Sequence, residues 1–281
     1  GVDEEGGTVV RVSSNPNLRE TAFLSPKDTY ADGGWDAVKR DAEEKADLLL
    51  SLGINVNLAP VCDMTSDEYG FMYDRSFSVD VDMENRYVRT VVETSKSKKL
   101  GTVLKHFPGY GNNSDTHTGI AYDDRDYSEF ENTDFKPFYQ GIESGADCIL
   151  VSHNIVNCMD SEYPASLSQK VHDILRNEFK FDGVIMTDDL IMDAITDFTG
   201  DEAAAVTAAK CGNDLLCCSS VDTQYPAVLE AVQNGEISEA QVDASVKRIL
   251  KWKQNLGIFN IDTYQKKVKS TEPTDTVGSE E

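Results

Sequence analysis

Apolar positions along this chain alternate between two rhythms. Short, nearly continuous apolar runs occur at Asn55-Val56-Asn57-Leu58-Ala59-Pro60, Thr102-Val103-Leu104, Cys148 to Ser152, Gly183 to Thr187 and Asp214 to Cys218. Runs of this length and evenness read as strands buried on both faces. Between them apolar residues recur every three to four positions, as in Ala37, Val38, Ala42, Ala46, Leu49 and Leu50. That spacing predicts helices over 35–52, 82–100, 130–144, 167–179, 203–211, 226–233 and 239–255. Gly53, Gly101 and Gly145 stand where helix C-terminal glycines belong. Residues 12–34 carry Asn, Pro, Ser and Asp-Gly-Gly signals and read as irregular.

Strand followed by helix, repeated, predicts an α/β fold built on a parallel sheet. The polar residues sharpen this. Asp3, Lys105, His106, His153 and Asp188 all follow apolar runs, at the C-terminal ends of the predicted strands. In a (β/α)8 barrel those ends converge on one face and carry the chemistry. About six strands are legible where a barrel has eight, and the chain opens abruptly at Gly1-Val2-Asp3-Glu4-Glu5-Gly6-Gly7. The expectation is therefore a TIM (β/α)8-type barrel lacking its first one or two strands. It occupies residues 1–260 and is followed by a polar, disordered tail over 261–281.

The stretch Lys105 to Gly119, KHFPGYGNNSDTHTG, holds the densest chemistry. Gly109, Gly111 and Gly119 let its backbone turn sharply. Two of the chain's 4 histidines, His106 and His117, lie in it beside a lysine, a tyrosine and Asp115. Titratable groups at this density mark a candidate active-site wall.

Composition narrows the partners. The 281 residues carry a formal charge of −24, which argues against nucleic acid or an anionic membrane, since phosphate binding needs a positive footprint. No run approaches the ~20 apolar residues needed to span a bilayer, and no basic-then-apolar signal segment opens the chain. Cys62, Cys148, Cys158, Cys211, Cys217 and Cys218 show no repeated C-x-x-C spacing, so they are expected as buried free thiols without a metal or cofactor. Cytoplasmic and secreted locations both remain open, as does oligomeric state.

The residue inventory supports acid–base and nucleophilic chemistry. Asp115 and His117, two apart in a glycine-rich loop, can hydrogen-bond, and a carboxylate oriented on an imidazole fixes its tautomer. Asp188 can attack, while Lys105, His106 and Arg75 donate to hydroxyls or to an anion. Together these match a retaining glycosidase with histidine in place of the second carboxylate. Each feature also has a plainer reading: Asp188 as a helix N-cap, the D-x-H pair as a surface hydrogen bond, His106 as a donor to a backbone carbonyl. Asp115, His117 and Asp188 as a metal set is a further alternative, though no H-E-x-x-H or H-x-H spacing is present.

Several segments, in order, resemble glycoside hydrolase family 3, in its single-domain β-N-acetylglucosaminidase branch. GVDEEGGTVVR, NVNLAPVCDM with DRSF, KHFPGYG, DTH, PASLS and FDGVIMTDDLIM carry the resemblance, over roughly residues 1–219. It implies a TIM barrel and a carbohydrate partner containing N-acetylglucosamine. Asp188 matches the family's nucleophile, His117 its acid/base and Asp115 the partner of that histidine. Asp3, Arg75, Lys105 and His106 match positions that grip the sugar. The D-T-H element selects the acetylglucosaminidase branch over the two-domain β-glucosidases. Tyr110 and Asn112 depart from the family's K-H-F-P-G-H-G-D, which bears on leaving-group specificity. A glycoside phosphorylase using the same residues and an inactive sugar-binding barrel are the alternative expectations.

Overall fold

The longest strand, Gly101–Phe107, is buried along its whole length, and the sheet is assembled around it. The computed structural model describes residues 1–199, 201–261 and 263–264. Most of the tail expected over 261–281 lies outside the described residues.

In chain order, β1 (Glu4–Gly6) and β2 (Val9–Val10) form an antiparallel pair, followed by α1 (Pro26–Ser51), β3 (Val56–Asn57), α2 (Val81–Ser97) and β4 (Gly101–Phe107). Then come β5 (Tyr122–Asp123), α3 (Tyr127–Asn132), α4 (Phe135–Ser144), β6 (Cys148–Val151), β7 (Ile155–Val156), α5 (Gln169–Asp173) and β8 (Val184–Thr187). The helices α6 (Asp193–Thr199), α7 (Asp201–Lys210), α8 (Val221–Gln233) and α9 (Glu239–Asn255) complete it. The sheet runs β3-β4-β6-β8, every pair parallel. Single parallel bridges extend it at both ends, Val2 to Asn57 and Met186 to Leu215.

Alternation along the strands divides the core. Leu104, Phe107, Ile149, Val151 and Ile185 face α2, α4 and α5, where Val88, Val92, Phe135, Phe138 and Val171 are buried against them. Val103, Cys148, Leu150, Val184 and Met186 face the other way and meet Trp252 and Leu256 at the end of α9. Each fully buried aliphatic side chain contributes about 1.5–3 kcal/mol. Burial on both faces is why the strands carry no polar alternation.

Several elements differ from the expectation for local reasons. α1 begins at Pro26, not near 35, because Ser25 caps it by accepting from the Asp28 N–H and Pro26 fits the first turn. Gly33 and Gly34 kink it where a loop is expected. The single helix expected over 130–144 is two, broken at Thr133-Asp134, where Arg125 holds the Asp134 carboxylate at 2.9 Å. The helix expected over 167–179 tightens to a 3₁₀ turn at Ala165–Leu167 and widens to a π turn at Ile174–Glu178. The last expected strand, 214–218, forms a single bridge to β8, at Leu215, with the Asp214 and Leu215 N–H groups both donating to the Ile185 carbonyl at 2.7 and 3.2 Å. Among the six thiols Cys62, Cys148 and Cys211 are buried, whereas Cys158 is exposed.

Candidate active site

The polar residues that follow the strands do collect at one end of the sheet. Asp3 follows the bridge at Val2, and Asp188 follows β8 with its N–H donating to the Val151 carbonyl at 3.2 Å. Lys105 and His106 fall where the β4–β6 ladder shifts register between Leu104 and Phe107, an irregularity of the kind that re-aims side chains. The Lys105–His106 peptide is cis, and both side chains border the same cavity. This hollow, of about 490 Å³, is lined by Asp3, Arg75, Lys105, His106, His117 and Asp188, with Leu58, Leu150, Met192 and Cys217 as apolar wall. Asp115 stands behind His117: its Oδ1 lies 2.7 Å from the ring Nδ1 and 3.0 Å from the backbone N of the same residue. All seven residues singled out from sequence therefore either line the cavity or bond to a residue that does.

Two buried carboxylates that sequence reading passed over organise the cations. Glu5 accepts from Arg75 at both oxygens, 3.0 and 2.8 Å, and from Lys105 at 2.6 Å. Burial would raise the Glu5 carboxyl, but the Lys105 and Arg75 charges overcome it and hold the group at about 2. Burial would lower Lys105; Glu5 and Asp3, the latter 2.6 Å away, raise it instead. The second is Asp63, wholly buried. Its Oδ2 accepts from the backbone N and ring Nδ1 of His106 at 2.9 and 2.7 Å, and its Oδ1 accepts from the Tyr110 N–H at 2.7 Å. The ring hydrogen of His106 is thereby assigned to Nδ1, leaving Nε2 to accept from Arg75 at 3.2 Å. Neither carried the signal that picked out Asp3 and Asp188: Glu5 follows two other acids, and Asp63 lies beyond Pro60, where the expected strand stops.

Among the described residues Asp188 is in no ion pair, unlike Asp3 and Glu5. Burial pushes it up, yet the imidazoles of His153 and His106, the Asp189 N–H and the Lys105 ammonium together hold it below the ordinary carboxylate value. It does not cap a helix, since its Oδ1 accepts from the adjacent Asp189 N–H at 2.8 Å. Asp189 also borders the cavity, but its carboxylate is engaged by the Ser219 hydroxyl and, at 3.2 Å, the Ser219 N–H. His153 is fully buried behind the site and donates from Nε2 to the Asp189 carbonyl at 3.0 Å, and burial lowers its imidazole from the ordinary value. Among the described residues, no group of three or more His, Cys, Asp or Glu is arranged to hold a metal ion. No described helix is long and apolar enough to cross a membrane.

The strand ends of this parallel α/β sheet thus gather a carboxylate held below its ordinary value, a carboxylate-backed imidazole and several charged donors around one hollow. The chain belongs to glycosyl hydrolase family 3, the sequence pattern of whose N-terminal domain matches residues 1–252. A beta-hexosaminidase of Hydrogenovibrio crunogenus is 31% identical over 248 residues, 86% of this chain and 69% of that protein. A second, of Nitrosomonas eutropha, is 31% identical over 229 residues, 79% of this chain and 65% of that protein. A solved glycoside hydrolase family 3 beta-N-acetylglucosaminidase from Paenibacillus sp. superposes with a TM-score of 0.84 at 30% identity, over 91% of this chain and 49% of that one. The fold is accordingly TIM-barrel-like. The chain spans about two thirds of the two curated relatives and about half of the Paenibacillus chain.

Proposed function

We propose that residues 1–260 form the catalytic (β/α)8-type domain of a retaining β-N-acetylglucosaminidase. The observation that carries this reading is that Asp188 and His117 border one cavity while Asp115 backs the imidazole at 2.7 Å. The two similar beta-hexosaminidases and the Paenibacillus enzyme support the sugar assignment.

The reaction runs as a double displacement. Asp188, held ionised by its cationic and imidazole neighbours, attacks the anomeric carbon. His117 protonates the departing glycosidic oxygen, and the bond to the leaving group breaks as a glycosyl-aspartate forms. His117, now neutral and aimed by Asp115, takes a proton from water, whose oxygen attacks the same carbon and releases Asp188. Two inversions give net retention. Asp3, Arg75, Lys105 and His106 grip the hydroxyls of the terminal sugar, their geometry fixed by Glu5 and Asp63.

An aryl-glycoside panel followed by NMR of the first-formed anomer tests this. The expectation is turnover of N-acetylglucosaminides with release of the β-anomer. Release of the α-anomer from a β-glycoside would overturn the retaining mechanism. Added inorganic phosphate decides the acceptor: the hydrolytic reading expects free sugar throughout, and accumulation of sugar-1-phosphate would make the protein a phosphorylase.

A further inference from the structure

Tyr110 stands where the resemblance leads one to expect histidine, and its surroundings differ from those of a sugar contact. It is 2% exposed. Its ring sits edge-on to His106 and Phe71, with centroids 5.3 and 5.1 Å away. Its N–H is held by Asp63, and its hydroxyl lies 2.6 Å from the Thr116 hydroxyl. Thr116 is the residue between Asp115 and His117. It is fully buried, while the His117 side chain beside it is 60% exposed.

The remaining bonds of this segment are local. Ser114 N–H donates to Asn113, His117 N–H to Asp115, and Thr118 returns to the Asp115 carbonyl. Among the described residues, the Tyr110–Thr116 bond is the side-chain hydrogen bond that ties 114–118 to the loop just after β4, where Asp63 holds the Tyr110 N–H. One buried carboxylate, Asp63, thus anchors His106 directly and the Asp115–His117 pair through two further residues.

We propose that Tyr110 is a positioning residue: through Thr116 it sets the reach of the His117 imidazole into the cavity. Nothing in the arrangement has Tyr110 touch substrate, since it does not line the cavity. The inference rests on the acid/base role proposed for His117. A misplacement of about 1 Å in a catalytic group is worth up to ~10²-fold in rate. Loss of the tether therefore acts on the proton-dependent step, and the sugar grip stays as it was.

Tyr110→Phe removes the hydroxyl and keeps the ring; Thr116→Val does the same from the other side. Each is expected to lower kcat about 10–100-fold on an N-acetylglucosaminide with a basic leaving group, with KM unchanged and the activated aryl glycoside affected less than about 3-fold. The double variant is expected to be no worse than either single one, and Thr116→Ser to restore the rate. Additive losses, or equal losses on both substrates, would overturn the proposal. The ¹⁵N-resolved imidazole signals of His117 supply a readout that needs no turnover. They are expected to shift or broaden in Tyr110→Phe and Thr116→Val, and unchanged signals would refute the tether whatever the reaction. If His117→Ala instead shows no leaving-group dependence, the acid/base reading fails on its own while the imidazole measurement still judges the tether.

Discussion

Asp63 takes both the backbone N–H and the ring Nδ1–H of His106 on a single carboxylate oxygen, at 2.9 and 2.7 Å. The arrangement fixes the tautomer and the plane of the ring together. His106 is therefore a rigid acceptor toward Arg75, and both belong to the cavity wall.

Removing that carboxylate leaves three buried N–H donors without a partner, two on His106 and one on Tyr110. Each such loss costs about 1–3 kcal/mol. Asp63→Ala is expected to destabilise the fold by at least ~3 kcal/mol in urea unfolding and to raise KM. Asp63→Asn, which keeps an acceptor oxygen, is expected to fall between the two. A wild-type unfolding curve for Asp63→Ala would contradict the account of the wall.

Stability is expected to fall in two stages as pH drops. Burial lowers the His153 and His172 imidazoles, so the unfolded chain binds more protons below about pH 6.5 and acid disfavours the fold from there. Glu5, lowered from 4.5 to about 2 by Lys105 and Arg75 against its burial, adds stability that is present above 4.5 and lost as pH falls through about 2. Glu5→Gln is expected to flatten the lower stage, by an amount on the order of 3 kcal/mol at neutral pH. Urea titrations between pH 2 and 7 check both stages, and an unchanged lower stage in Glu5→Gln would remove Glu5 from it.

Gly109 has a positive φ of 121° and its missing Cβ would sit 2.2 Å from Asp134 Oδ1. Asp134 cannot withdraw without loosening its 2.9 Å pair to Arg125. Gly109→Ala is expected to cost about 2–3 kcal/mol and to slow turnover by disturbing the loop. Gly119→Ala meets nothing within 4 Å and carries the backbone strain alone, about 1 kcal/mol. Equal losses of stability would show that packing around Gly109 is softer than its geometry implies.

His117→Ala is expected to lose about 10²–10⁴-fold on substrates whose leaving group needs a proton, and far less on an activated aryl glycoside. Steady-state rates across leaving groups of graded acidity give the comparison. A uniform loss would place the acid elsewhere.

Much of this was legible in the sequence. Near-continuous apolar runs gave the parallel strands, and the polar residues that follow them, Asp3, Lys105, His106 and Asp188, do meet at one end of the sheet. The D-x-H spacing gave the Asp115–His117 bond. Glu5 and Asp63 were hidden because a buried, ion-paired carboxylate reads in one dimension like any surface acid among 50. Tertiary contacts also override local pattern. Arg125 splits one helical run in two by holding Asp134, and a glycine pair that reads as a turn is absorbed as a kink inside α1. Where the structure extends furthest past the sequence is Tyr110, whose hydroxyl bond to Thr116 no spacing rule reveals.

The central claim is that Asp188 bonds covalently to the sugar across the cavity from His117. Incubation with an activated fluoro-N-acetylglucosaminide, then peptide mapping by mass spectrometry, tests it most directly. The account predicts one added sugar on the peptide containing Asp188, absent in Asp188→Ala. A sugar found on any other residue, or retained by Asp188→Ala, would contradict it.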